Sequence, residues 1–359
     1  MKNLFLGLVV ISAFYSCDST VIKTSTEKVD SRIKPLFVTD TVLYDTDDPA
    51  IWINPIHASQ SLIIGTDKDK DGALYVFNLE GKTIDSLVVR GLQRPNNVDI
   101  AYGILLGDTL RDIALVTERM THKLRVFTLP DLLPVDNGGI EMFKGETADD
   151  FRDLMGIAAY KKPETDSIYA IVGRKSGPTD GSYLWQYLLN GDSGFVTATL
   201  VRKFGAFSGK KEIESIAVDN ELGYIYYSDE QVGVRKYYAD PEKGNVELAL
   251  FATTGFAEDN EGISIYKSSK NTGYILVSDQ GANRFQIFSR EGETKNPHSH
   301  SLIKIVDVST MESDGSDVTN IPLNKHFPQG LFVAMSTNKT FHYYSWKDIM
   351  ANDLSKSDK

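Results

Sequence analysis

Residues 62–79 read LIIGTDKDKDGALYVFNL, two apolar runs rich in β-forming residues that are joined by a polar loop. Such a pattern is typical of two neighbouring antiparallel strands. It recurs along the chain, and the six strand pairs predicted in this way occupy residues 62–79, 113–129, 169–189, 224–238, 274–290 and 331–346. The sequence is therefore organised as a repeat of one supersecondary unit.

A short apolar strand precedes each pair, and these strands lie at residues 49–53, 97–102, 155–160, 214–219, 261–266 and, less clearly, 316–321. They recur roughly every 47 to 59 residues, the spacing expected of four-stranded propeller blades. We therefore predict an all-β chain folded as a six-bladed β-propeller of four-stranded antiparallel blades, with a generic β-sandwich as the alternative. Residues near 36–44 are expected to supply a strand that closes the last blade beside residues 341–346.

The two ends of the chain differ from the repeat. Residues 1–17 combine an early lysine, an apolar run and the only cysteine, Cys17, which predicts a lipoprotein-type signal peptide with lipid attached at Cys17. The apolar run is short for a bilayer span, so an uncleaved anchor is the weaker interpretation. We expect export, as a cell-envelope lipoprotein at the outer membrane or periplasmic face, or otherwise secretion. The predicted parts are the signal peptide (1–17), a flexible tether (18–34), the propeller (35–350) and a polar tail (351–359).

The charge balance excludes one class of partner. The 359 residues carry a formal net charge of −11 and a pI near 5.1, whereas a nucleic-acid binder needs a basic face that neutralises phosphates. A polyanionic small molecule would need local cations. We expect a monomer that takes a small-molecule substrate and touches a membrane only through its N-terminal lipid.

Equivalent positions of successive blades lie on one ring around a propeller axis, so loops far apart in sequence meet at one face. The ends of the second strands in the first three blades offer cations: Lys68 with Lys70, Arg119, and Arg174 with Lys175. Carboxylates and amides at this face are the predicted metal ligands: Asp47, Asp48, Asn97, Asp99, Asp153, Glu214, Asp229, Glu230, Asp259, Glu261, Gln280 and Asp314.

Oxygen ligands without a cysteine or histidine cluster favour several Ca²⁺ ions over zinc. Bound calcium would turn an acidic pocket into one that attracts phosphate, and the cations would donate charge-assisted hydrogen bonds to phosphate oxygens. The alternative is that Asp47 and Asp48 are turn formers before Pro49 and that the cations are solvated hairpin ends.

At these residues the chain resembles the β-propeller phytases, the alkaline, calcium-dependent 3-phytases of bacteria. The resemblance runs from about Asp45 to Trp346, and the matching segments are DDPAIW (47–52), TDK (66–68), NNVDI (96–100), NEGISIY (260–266), SDQG (278–281), SDG (313–315) and FPQGLFVA (327–334). By position, Lys68, Arg119 and Lys175 correspond to the family's phosphate-contacting residues. Its calcium ligands correspond to, or lie beside, Asp48, Asn97, Asp99, Glu214, Glu230, Asp259, Glu261 and Gln280, with Asp229 competing with Glu230.

The resemblance implies hydrolysis of myo-inositol hexakisphosphate, with release of phosphate and lower inositol phosphates by direct attack of a metal-activated water. The expected catalytic residues are Lys68, Arg119, Glu214 and Glu230, and the expected substrate-binding residues are Lys68, Arg119, Lys175, Arg174 and Lys70. Three positions depart from the family pattern, because Met155 replaces a tyrosine, Ser176 replaces an acid and residues 335–337 replace an acid-bearing segment. These departures bear on the number of ligands and the rate.

Two other functions fit the same fold. A calcium-dependent propeller lactonase would share the carboxylates but would have little use for cations on adjacent blades. A non-catalytic surface propeller that binds glycans or proteins would be expected to expose aromatic side chains at its loop tips, whereas most aromatics here lie within the predicted strands. Fold alone does not separate these functions.

Overall fold

The computed structural model describes residues 31–148 and 150–351. The predicted signal peptide, lipidation at Cys17, residues 18–30 of the tether and residues 352–359 of the tail lie outside these residues. Of the predicted tether, the described part includes Ile33, whose backbone N–H donates to the Asp307 carbonyl at 2.9 Å and whose carbonyl accepts from the Ser309 N–H at 3.0 Å.

The predicted propeller is confirmed, because the described strands form six four-stranded antiparallel sheets. The strands are β1 (Phe37–Val38); in blade one β2 (Thr46–Trp52), β3 (Leu62–Asp67), β4 (Gly72–Phe77) and β5 (Val89–Leu92); in blade two β6 (Pro95–Leu106), β7 (Thr109–Glu118), β8 (Lys123–Leu129) and β9 (Ile140–Glu141); in blade three β10 (Leu154–Lys161), β11 (Ile168–Arg174), β12 (Leu184–Asn190) and β13 (Thr197–Phe204); in blade four β14 (Ile216–Asp219), β15 (Tyr224–Asp229), β16 (Gly233–Tyr238) and β17 (Ala249–Phe251); in blade five β18 (Asn260–Lys267), β19 (Gly273–Asp279), β20 (Arg284–Ser289) and β21 (Leu302–Asp307); and in blade six β22 (Ser316–Thr319), β23 (Leu331–Ser336) and β24 (Thr340–Ser345).

Helix is nearly absent from the described chain. It comprises one α-helix, α1 (Trp346–Ile349), and short 3₁₀ turns at Ala58–Gln60, Asp85–Leu87, Arg119–Thr121, Pro241–Lys243 and Gln280–Ala282. Within residues 31–148 and 150–351, no helix has the length and apolar character needed to cross a membrane.

The hydrophobic core lies between the blades. Each of six clusters of buried apolar side chains joins two adjacent blades, as where Ile51 and Phe77 of blade one meet Val333 and Phe341 of blade six. The central strands β3 and β4 are buried along their whole length, since a neighbouring blade covers each face. This burial explains why they read as continuous apolar runs.

The outer strands have a different environment. Most residues of β13 and β21 are exposed or half-buried, so these strands lack the apolar pattern that marks a buried strand. The apolar pattern therefore predicts the three inner strands of each blade but not β13 or β21.

Strand β1 closes the ring of blades as predicted. Phe37 and Val38 pair with Tyr343 and His342 of β24, and the Leu36 N–H donates to the Tyr343 carbonyl at 2.8 Å. The first strand of the described chain therefore completes the sheet of the last blade. This pairing covers the edge that β24 would otherwise expose.

Hydroxyl groups at the ends of four second strands join their blades to the next ones. They donate to backbone carbonyls just before or at the start of the following inner strand, always at 2.7 Å: Thr66 to Asn96, Thr117 to Met155, Ser228 to Glu261 and Ser278 to Ser313. Blade three has Gly173 at this position. These bonds fix the blades against one another at the rim where the second strands end.

Removal of β1 is expected to destabilise the propeller. A chain beginning at residue 31 retains this strand, whereas one beginning at residue 41 loses the backbone bonds to β24 and the packing of Phe37. We expect the shorter chain to melt roughly 5–10 °C lower, since a few kcal/mol are lost from a domain of this size. Circular dichroism melting curves of both chains measure the effect. Equal midpoints would show that the closing strand does not stabilise the fold.

Candidate functional site

One rim of the propeller gathers acidic side chains around the central channel. Inner strands begin and second strands end at this rim, because the two are antiparallel neighbours. We define the acidic ring as the six carboxylates brought together there: Asp47, Glu214, Glu230, Asp259, Glu261 and Asp314. All were predicted metal ligands.

In blades one, two, four and five, the triplet at the end of the second strand divides its roles among three consecutive residues. The first supplies the inter-blade hydroxyl described above, and the second points outward and accepts backbone N–H groups from the preceding loop. These acceptor pairs are Asp67 with Tyr44 and Asp45, Glu118 with Gln93, Asp229 with Ser208, and Asp279 with Ala257, at 2.7–3.0 Å. The third residue then faces the ring, as Lys68, Arg119, Glu230 and Gln280 do.

This division separates Asp229 from Glu230. Asp229 is fully buried, accepts from both the N–H and the hydroxyl of Ser208, and pairs with the Arg235 guanidinium at 2.9 Å. Glu230, the next residue, lies in the ring beside the carboxylates of Glu214 and Glu261. The predicted metal-ligand role of Asp229 is therefore replaced by a structural one.

The first half of the ring contains Asp47, Glu214 and Asp314, from each of which one oxygen lies within 4.8 Å of the others. The Lys68 ammonium lies 2.6 Å from Asp47 and 3.6 Å from Asp314. The Asn96 amide donates to Asp47 at 2.9 Å and to Glu214 at 3.3 Å. These contacts hold the three carboxylates together despite their mutual repulsion.

Arg119 completes this half. Its guanidinium lies 3.8 Å from a Glu214 oxygen, and its Nε donates to the Leu154 carbonyl at 3.3 Å. The same guanidinium contacts the Met155 sulfur, at the position where the family resemblance led us to expect a tyrosine. Since a Cβ on Gly156 would collide with the Glu214 carbonyl oxygen, only glycine allows the backbone of Glu214 to approach this strand so closely.

The second half of the ring contains Glu214, Glu230 and Glu261, again with one oxygen from each within 4.8 Å of the others. All three side chains are buried. Oε1 of Glu230 and Oε2 of Glu261 have no hydrogen-bond partner within the described chain, whereas Oε2 of Glu230 lies 3.2 Å from the Lys211 ammonium. On either side of this half, Gln280 donates to Asp314 at 2.6 Å and the Lys211 ammonium contacts Glu230 and Asp259.

Burial makes ionisation of these acids costly. It raises the pKa of Asp47 to about 6, with Lys68 opposing the rise, and the pKa of Glu230 to about 8, with Lys211 opposing it. The pKa of Glu214 rises well above its usual range through burial and the charge of Asp47, and that of Glu261 rises through burial and the charge of Asp314. Further positive charge is needed to keep the whole ring ionised near neutral pH.

The ring fits a divalent cation by its donor chemistry. Buried carboxylate oxygens without partners are costly unless a ligand satisfies them, and here such oxygens of Glu230 and Glu261 converge beside the Glu214 carboxylate. The donors are oxygens, which suit hard cations such as Ca²⁺. These three residues, with Asp47 and Asp314 beside them, are the ones that would hold metal.

Three other predicted ligands, Asp48, Asn97 and Asp99, line a central cavity of about 670 Å³. Asp48 accepts the Val98 N–H at 3.1 Å, and Asp99 accepts the Ala159 N–H at 2.7 Å. In both cases the N–H group belongs to the inner strand of the next blade. These contacts tie adjacent blades together along the channel wall.

The remaining predicted residues lie away from the ring. Asp153 is half-buried beside His122, 3.6 Å from its Nδ1. Arg174 is fully buried and donates to the carbonyls of Phe151, Ser182 and Tyr183, so it takes the anchoring role that carboxylates have in other blades. This position contradicts its predicted contact with substrate. Lys70 and Lys175 are exposed.

Two residues of the site were missed by the sequence analysis. Asn96 is buried, bridges Asp47 and Glu214, and leaves its amide oxygen without a partner in the described chain. It stands in the quoted NNVDI segment, where we singled out only its neighbour Asn97. Lys211 comes from the loop before Glu214, and its place in the KKE run resembles that of any solvated lysine.

The buried glutamates predict an unusual pH dependence when divalent cations are removed. Between pH 4.5 and about 8 the folded chain holds a proton on Glu230 that the unfolded chain has released, so the free energy of unfolding falls as pH rises. Glu230→Gln is neutral at every pH and is expected to flatten this decrease. Urea unfolding in chelator at pH 5 and pH 8 measures it. An unchanged slope in the variant would contradict the buried, protonated state.

Comparison with known proteins agrees with this geometry. The phytase family matches residues 3–352, which is nearly the whole chain. A relative described as 3-phytase from Bacillus subtilis (strain 168) is 29% identical over 321 residues, covering 84% of this chain and 80% of the relative. A six-bladed propeller with a rim of carboxylates and cations thus accompanies a family match over nearly its full length, and the chain belongs to the phytase family of phosphoric monoester hydrolases.

Proposed function

We propose that this phytase is calcium-dependent and removes phosphate from myo-inositol hexakisphosphate at the acidic ring, leaving lower inositol phosphates. The observation that carries the proposal is the meeting of unpartnered carboxylate oxygens with two cations, Lys68 and Arg119, around Glu214. The name of the Bacillus relative supports the substrate.

Lys68 and Arg119 are the proposed contacts to the reacting phosphate. The Lys68 side chain is 12% exposed, so it is largely desolvated where its charge acts strongly. The acids around Lys68 raise the pKa of its ammonium against the effect of burial, so it stays charged at alkaline pH. Arg119 donates through Nε to the Leu154 carbonyl, and its Nη2 contacts the Met155 sulfur. Nη1 is therefore the nitrogen proposed to donate to phosphate oxygens.

Calcium bound at the ring would neutralise phosphate charge and lower the pKa of a water molecule. The chain supplies the position for that water through Glu214, the one residue common to both carboxylate groups. Glu230 and Glu261 would hold the metal ion beside Glu214, and the burial of both side chains excludes competing solvent. The carboxylates of the ring and the amides and cations that contact them support direct attack by water without a covalent intermediate.

Lys175 is proposed to contact a second phosphate of the same substrate. It is exposed, and within the described residues its side chain has no hydrogen bond or ion pair. A substrate with several phosphates can use such a cation outside the reaction centre to orient the molecule. Lys70, also exposed and near Lys68 in sequence, is a second candidate for this role.

The cations also distinguish the proposal from the two alternatives. An uncharged lactone offers no anionic group to Lys68 and Arg119, whereas a phosphate offers several oxygens. For a non-catalytic binding module, the burial of Glu214, Glu230 and Glu261 at such an electrostatic cost would have no evident purpose. Neither alternative is favoured by a particular contact in the ring.

Export is a separate proposal that depends on residues 1–17. Their lysine, apolar run and single Cys17 support cleavage of a leader and attachment of lipid at Cys17. The protein would then act as a monomeric enzyme at the cell envelope, or as a secreted one if cleavage occurs without lipidation. Labelling with a radioactive fatty acid, compared between the natural chain and Cys17→Ser, tests the lipid.

Loss of the Lys68 charge is expected to reduce activity strongly. Lys68→Ala should lower kcat/KM for calcium phytate by about 100-fold or more, as is usual when a preorganised positive group is removed from a phosphate or oxyanion site. Phosphate release, measured with malachite green, gives the rate. Lys68→Arg is expected to retain more activity than Lys68→Ala.

The matched control is Lys82→Ala. Lys82 is 67% exposed and pairs only with Asp40 on the outer surface of the described chain, so its loss should change activity little. Circular dichroism establishes that each variant is folded. A folded Lys68→Ala enzyme with the activity of Lys82→Ala would exclude Lys68 from the reaction centre.

A further inference from the structure

We propose that Lys211 is a tethered cation that neutralises the Glu230–Asp259 side of the acidic ring in place of a divalent metal ion. The inference rests on the proposed calcium-dependent function and specifies which part of the ring the metal occupies.

The ammonium of Lys211 bridges two carboxylates. It lies 3.2 Å from a Glu230 oxygen and contacts an Asp259 oxygen directly. The other oxygen of Asp259 accepts the Gln231 amide at 3.0 Å. Both carboxylates are therefore supplied with a positive partner or a donor from the chain itself.

The loop that carries Lys211 is held on both sides of it. Ser208 donates its N–H and hydroxyl to Asp229, and the Glu212 carbonyl accepts the Glu230 N–H at 3.3 Å. These bonds attach the loop to the end of β15, the strand that leads directly into Glu230. The position of the ammonium is thus built into the blade, although 38% of the Lys211 side chain is exposed.

The carboxylates that Lys211 contacts are poorly solvated. The side chains of Glu230 and Asp259 are 1% and 8% exposed, so two negative charges close together there require a cation. A protein ammonium and a divalent ion compete for the same oxygens. While Lys211 is present, the metal ion binds only on the other side of Glu230, where one oxygen each of Glu214, Glu230 and Glu261 come together.

The inference predicts that removal of the ammonium creates a cation site. Lys211→Met keeps the length of the side chain but leaves the Glu230–Asp259 side without its charge, so one additional Ca²⁺ should bind per chain. The test is the number of calcium ions bound at pH 8, measured by equilibrium dialysis of the full chain for the natural protein, Lys211→Met, Lys211→Arg and Lys210→Met. Lys210→Met removes an exposed neighbouring lysine.

Lys211→Met is expected to bind one ion more than the natural chain, whereas Lys211→Arg and Lys210→Met bind the same number as the natural chain. An equal or smaller number for Lys211→Met overturns the inference. The natural chain binding no calcium would instead contradict the proposed cofactor, whatever the difference between the variants, so the two failures are distinguishable.

Thermal unfolding gives a second readout that does not depend on activity. In chelator, Lys211→Met should melt several degrees below the natural chain, because the buried Asp259 carboxylate then lacks its counter-charge. Added calcium should restore most of this loss, since the ion replaces the ammonium. A variant that remains equally destabilised in calcium would show that Lys211 stabilises the loop by packing alone, which also overturns the inference.

Discussion

The central physical constraint in this protein is the cost of holding carboxylates out of water at one end of the channel. Glu214, Glu230 and Glu261 are buried within 4.8 Å of one another, an arrangement that is unstable unless positive charge is supplied. The chain supplies some of it through Lys68, Arg119 and Lys211. Oε1 of Glu230 and Oε2 of Glu261 remain without partners in the described chain, and a metal ion bound there would complete the balance.

The propeller can meet this constraint because four of its blades, the first, second, fourth and fifth, end their second strands with the same division of roles. In blade four, Ser228 binds the next blade, Asp229 anchors the preceding loop, and Glu230 faces the ring. Two structural bonds thus position each functional side chain. The third residue varies from lysine and arginine to glutamate and glutamine. This variation makes one part of the rim basic and another acidic without altering the backbone of the blades.

Much of this arrangement could be predicted from the sequence. Second and third strands such as β3, β4, β11 and β23 are buried on both faces and therefore read as apolar runs, whereas exposed outer strands such as β13 leave no such pattern. The choice between adjacent polar residues could not be made from the sequence, because the two sides of a strand differ only in what the fold places beside them. The structure shows that Asp229 and Arg174 anchor neighbouring loops. Lys211 was missed because it reaches the ring from a loop that has no periodic pattern.

The most direct test of the account is the dependence of phytate hydrolysis on divalent cations. Purified enzyme would be freed of metal with a chelator, which is then removed, and phosphate release from phytate would be measured before and after addition of Ca²⁺ or Mg²⁺. We predict no release without metal and recovery with calcium rather than magnesium, because an irregular set of carboxylates suits the larger ion. Full activity of folded enzyme without metal would contradict the central claim that the acidic ring requires a bound cation to process phosphate.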